Sequence, residues 1–72
     1  MALFEGNPNT TYTVEKINTE DDDLRTFLFR LGCYEEQPIT IISKKKKSVI
    51  VVIKDSRYAL DKDIAESIQV CA

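Results

Sequence analysis

Two periodicities organise the apolar positions of this chain. Between Thr19 and Gly32, the residues Leu24, Phe27, Leu28 and Leu31 recur at i, i+3, i+4 and i+7, which is one face of a helix. Thr19 stands where an N-cap is expected, and Asp22 three residues on completes something close to a capping box. Glu20 to Asp23 place negative charge at the positive end of the helix dipole. Arg30 suits the last turn, and Gly32 is placed to be the C′ residue. The pattern predicts a helix over about 20–31. Phe29 lies off the stripe and is either packed under a loop or exposed.

Everywhere else the period is two. Tyr12 to Ile17 alternates, with Tyr12, Val14 and the stem of Lys16 on one face, and its Thr and Val content favours a strand. Asn7-Pro8-Asn9 before it marks a turn, in which Asn9 tolerates a left-handed conformation. Ile39 to Ser43 and Ser48 to Lys54 are β-branched runs joined by the charged segment Lys44 to Lys47, a hairpin pattern. Asp55-Ser56 turns again into a shorter strand, Arg57 to Leu60. Asp61 starts a short helical turn over about 61–67 with Ile64, Ala65 and Ile68 inward, and Gln69 to Cys71 closes as a last strand. Five short antiparallel strands manage their edges best by curling into a small barrel. Val49, Val51 and Ile53 point one way and Ile50 and Val52 the other, so both faces of that strand need cover.

Size and composition narrow the function. Seventy-two residues make one domain, 1–72, without room for a cleft between domains. Hydrophobic residues are 43% and charged residues 31%, the balance of a folded rather than a disordered chain. No apolar run approaches the roughly 18–20 residues of a membrane span, so no membrane insertion is expected. The first residues lack the basic-then-apolar layout of a secretory signal, and the expected location is cytoplasmic. The net charge of −2 argues against nucleic acid, whose partners carry a basic surplus.

The absence of histidine, of a Gly-x-Ser-x-Gly elbow and of a phosphate-binding Gly-Lys loop points away from an enzyme. Cys33 and Cys71 are two thiolate candidates where a closed zinc site needs four ligands, so reduced thiols, no metal and no cofactor are expected. Asp21 to Asp23 read as a solvated helix start rather than a cation site. Lys44 to Lys47 read as a solvated turn flanking two aggregation-prone strands. The six aromatic residues, three Tyr and three Phe, read as core and rim rather than as a peptide groove.

With these elements in place the sequence resembles the FeoA family almost end to end. Met1-x-Leu3-x-Glu5 before Pro8 is similar to the family's start, and Val14 and Ile17 fall on the apolar positions of its first strand. Leu24-x-x-x-Leu28-x-x-Leu31-Gly32 is similar to its helix, and Ala59-Leu60 with Ile64-Ala65-x-x-Ile68-x-Val70 to its closing strand, helical turn and strand. The chain departs from the family at Glu35 and Glu36, where Pro-Gly is common, at Asn9 and Lys16, where Gly is usual, and at Phe27, a usually basic site.

The resemblance implies a mainly β, SH3-like five-stranded barrel with one inserted α-helix. It also implies a non-enzymatic adaptor that binds the cytosolic, GTP-hydrolysing part of a membrane ferrous iron transporter. On that reading Arg25, Phe29, Arg30 and Tyr34 are the expected partner-binding residues, because interfaces favour exposed aromatics and Arg. The chain also resembles the C-terminal SH3-like domain of iron-dependent repressors, so a second expectation is a metal- or redox-responsive domain sensing through Cys33 and Cys71. A third is a weak homo-oligomer formed through the outer face of the 48–54 strand.

Overall fold

A computed structural model describes residues 1–72. After a 3₁₀ turn at Leu3–Glu5 come β1 (Thr10–Ile17), α1 (Asp22–Leu31), β2 (Pro38–Lys44), β3 (Ser48–Ile53), β4 (Ser56–Asp61), α2 (Lys62–Ser67) and β5 (Ile68–Cys71). This is the predicted order, with the 3₁₀ turn added. The strands form one antiparallel sheet in the order β4-β3-β2-β1-β5.

Its curl comes from two bulges. Between Val14 and Lys16 the register of β1 against β5 slips, so Ile17 turns inward and Lys16 stays exposed. The expectation that the stem of Lys16 continues the inner face is corrected by that extra residue, which flips every side chain beyond it. A second slip lies between Ile41 and Ser43 of β2 against β3. β1 is shared, with Thr10 to Thr13 on β2 and Thr13 to Ile17 on β5. β4 and β5 are not neighbours in the sheet, so the barrel is open on that side. There α2 packs against β3, β4, β5 and the 3₁₀ turn, burying Ala65.

The core fills the concave side. Tyr12, Val14 and Ile17, then Ile39 and Ile41, then Val49, Val51 and Ile53 are buried, with Leu60, Ile68 and Val70 from the outer strands. Ile50 and Val52 on the other face of β3 are half-buried, each flanked by its cross-strand neighbours.

The turns show where side-chain chemistry replaces glycine. Asn9, Glu36, Lys54 and Asp55 all have positive φ. Asn9 and Glu36 thus adopt left-handed backbone where the family's pattern has Gly. Lys54 and Asp55, at φ 49 and 68, form the two-residue turn between β3 and β4, with the twist that matches a hairpin. The expected turn at Asp55-Ser56 therefore sits one residue earlier.

Candidate functional site

α1 is held by its ends more than by its face. Asp21, not Thr19, is the N-cap: its carboxylate accepts from the amides of Asp23 at 2.9 Å and Leu24 at 3.2 Å. Thr19 Oγ1 instead accepts from the Asp21 amide at 3.1 Å, holding the cap itself in place. At the far end Gly32, at φ 93, is the predicted C′ residue. The Cys33 amide donates to the Leu28 carbonyl at 2.9 Å and that of Gly32 to Phe29 at 3.0 Å, a Schellman motif. A Cβ on Gly32 would come within 2.9 Å of the Lys54 side chain, so glycine also permits the close approach of the β3–β4 turn.

Of the predicted stripe, Leu28 alone is fully buried, while Leu24 and Leu31 are partly buried. Phe27 is 46% exposed, which corrects its place in the stripe. A ten-residue helix lying at the rim of a curled sheet touches it along a line narrower than the full apolar arc.

The Schellman turn swings the chain back so that Tyr34 meets Phe29, which is 64% exposed. Their ring centroids lie 5.0 Å apart with planes at 36°. Lys54 Nζ donates to the Tyr34 hydroxyl at 2.5 Å, tying this pair to the β3–β4 turn. Arg25 is held by its Nη2, which donates to the Thr19 carbonyl at 2.6 Å.

The aromatic pair forms a ridge between two shallow cavities. One, of about 320 Å³, is lined by Ile17, Arg25, Phe29, Cys33, Tyr34 and Glu35. The other, of about 460 Å³, lies between the end of α1 and the β3–β4 turn, where Arg30, Lys54 and Tyr58 join the same two rings. All four nominated residues therefore meet at one ridge: Arg25 on one side, Arg30 on the other, Phe29 and Tyr34 on both. Sequence reasoning missed Lys54, from the β3–β4 turn, and Tyr58, from β4, which are distant in sequence and carry no local signal.

The three cations Arg25, Arg30 and Lys54 against the single carboxylate Glu35 make this a positive surface on an acidic chain. Cys33 contributes to the cavity wall, but it is only 1% exposed, and burial pushes its thiol up to about 11. Cys71 is exposed, and neither cysteine is in a disulfide. No group of three or more His, Cys, Asp or Glu side chains converges as a metal would require.

Lys44, read as part of a solvated turn, is a clamp. Its Nζ donates to the carbonyls of Phe4 at 2.9 Å and Gly6 at 3.1 Å and lies 5.4 Å from the Phe4 ring centroid. Lys46 and Lys47 remain at the turn beside Asp61, Lys62 and Asp63, around an open hollow of about 440 Å³.

A five-stranded antiparallel sheet curled around one core, with a helix between its first two strands, defines a small SH3-like domain. The chain belongs to the FeoA domain family, whose model matches residues 1–71. A crystal structure of an iron uptake regulatory protein, FeoA, superposes with a TM-score of 0.90 at 21% identity, over 99% of this chain and 95% of that one. FeoA of Stenotrophomonas maltophilia, solved with zinc and described as a procaryotic SH3 domain protein proposed to activate bacterial ferrous iron transport, superposes at 0.86 with 23% identity, over 97% and 88%. IdeR of T. acidophilum superposes at 0.89 with 28% identity; this chain is covered fully but spans only 33% of IdeR. None of the curated proteins compared with the chain matches it in sequence.

Proposed function

We propose that this protein is a non-enzymatic accessory factor of ferrous iron uptake that docks on the cytosolic, GTP-hydrolysing part of a membrane ferrous iron transporter and modulates it. The observation that carries the reading is the Phe29–Tyr34 ridge, a large exposed aromatic bordered by Arg25, Arg30 and Lys54. Membership of the FeoA domain family and the description of the Stenotrophomonas protein supply the transport context. Exposed aromatics with Arg are the residues that anchor interfaces, and a positive rim steers an acidic partner surface. No helix here is long and apolar enough to cross a membrane.

The test is a titration of isotope-labelled protein with the transporter's cytosolic domain. Amide shifts are expected around residues 25–34 and 54–58. Phe29→Ala and Arg25→Ala are each expected to weaken binding about tenfold, the scale of one interface anchor. Lys46→Ala at the opposite turn should leave it unchanged. Unaltered affinity in the Phe29 and Arg25 variants would move the site elsewhere, and no binding by the wild-type chain would remove the transporter reading altogether.

The superposition on repressor domains favours a regulatory module as the second reading. Its thiol-sensing form is opposed by the burial of Cys33, because sensing needs an accessible thiolate. Iron-induced shifts without any response to the transporter would favour it.

A further inference from the structure

An open sheet has two edges, and in this one a further segment of the chain bridges only the β5 edge. Along β5, Ala2 forms an antiparallel bridge with Gln69. The Val70 amide donates to the Met1 carbonyl at 2.8 Å, and the terminal amine donates to the Val70 carbonyl at 3.1 Å. β4 has β3 on one side and no strand on the other.

Which backbone groups β4 leaves unpaired follows from its ladder. The two-residue turn at Lys54-Asp55 makes Ile53 and Ser56 the closing pair. At the other end the Lys62 amide donates to the Lys47 carbonyl at 2.9 Å, which fixes the same phase. Tyr58 and Leu60 then exchange bonds with Val51 and Val49, while the amides and carbonyls of Arg57 and Ala59 point away from the sheet. Neither residue's backbone takes part in any turn or loop hydrogen bond. β4 carries no proline, no lysine and no bulge, and its two charges, Arg57 and Asp61, are of opposite sign.

The exposed residues of β4 are Ser56 at its start and then Arg57, Ala59 and Asp61, which share one face. Two copies of β4 laid antiparallel about Ala59 set Ala59 against Ala59 and Arg57 of each copy opposite Asp61 of the other. Within the strand, centring on Tyr58 instead leaves Arg57 opposite Ala59 with no charge pair, and centring on Arg57 opposes arginine to arginine. The Ala59-centred register is self-complementary in shape and in charge, as a two-fold contact must be. We propose that β4 is a self-pairing edge, through which a second copy of this chain adds antiparallel to residues 57–61 and joins the two sheets into one of ten strands. This inference is independent of the transporter reading and differs from association through the outer face of β3, because it uses the rim of the sheet.

Sedimentation velocity over a rising protein concentration tests it. The wild-type chain is expected to move from monomer towards dimer at high concentration. Ala59→Pro, which removes an amide that bonds to nothing within the monomer, is expected to remain monomeric with an unchanged circular dichroism spectrum. Arg57→Asp, which creates two like-charge pairs, should weaken dimerisation about tenfold at low salt. The charge-swapped double variant Arg57→Asp/Asp61→Arg should restore it. A wild-type chain that stays monomeric, a proline variant that dimerises equally well, or a double variant no better than Arg57→Asp would each overturn the proposal.

Discussion

At the scale of single residues, burial decides what the thiol of Cys33 can do. The wall that encloses it favours the neutral form, so the folded protein holds that proton up to about 11 against 9.0 for an exposed thiol. As pH rises past 9, the unfolded chain releases the proton first, so unfolding is favoured progressively until both states are deprotonated above pH 11. The stability margin of wild type over Cys33→Ala is therefore expected to be constant below pH 9 and to shrink by about 2–3 kcal/mol by pH 11. Chemical denaturation across that range reads it directly, and a margin independent of pH would show that burial does not hold the proton. Cys71, exposed at the end of β5, is expected to alkylate first. Phe27 and Phe29 show the limit of reading single residues from spacing. Periodicity places Phe27 with Leu28, but how wide an arc is covered depends on what the helix lies against.

At the scale of elements, the ends of α1 matter more than its face. The carboxylate of Asp21 satisfies two amides that would otherwise lack partners, while Thr19 supports the loop before it. Asp21→Ala is accordingly expected to cost about 1 kcal/mol and Thr19→Ala a smaller amount, measured as shifts in the denaturation midpoint. The reverse order would restore Thr19 as the cap. The helix, its acidic start and its Gly32 stop were legible in the sequence because caps are local interactions. The choice between Thr19 and Asp21 was not, since both are good caps and the backbone angles at Asp21 decide between them. The bulges in β1 and β2 left no mark in composition. They arise where one strand must bend to serve two neighbours, and the inward position passes from Lys16 to Ile17 as a result.

At the scale of the whole molecule, a domain of this size is held by a few kcal/mol, about 4–11 by the usual per-residue range. Ile41, fully buried in the central strand β2, and Leu28, the only fully buried residue of α1, test how that stability is distributed. Ile41→Ala is expected to cost about 2–5 kcal/mol and to lower the protection of every strand together. Leu28→Ala should act locally first, speeding amide exchange over residues 22–31 and 33–35 while the sheet stays protected. Equal loss of protection everywhere in the Leu28 variant would make α1 part of one cooperative unit with the sheet.

Hydrophobic periodicity, caps and turn residues, all interactions within a few positions of one another, determined from the sequence alone the order of the elements, their approximate limits and the apolar side of β3. Tertiary structure decided what depends on distant partners. It set the opening between β4 and β5, the enclosure of Cys33, the tie from Lys44 to the carbonyls of Phe4 and Gly6, and the meeting of Lys54 with Tyr34. These contacts join positions 20 or more residues apart, and their geometry follows from the register and bend of the whole sheet.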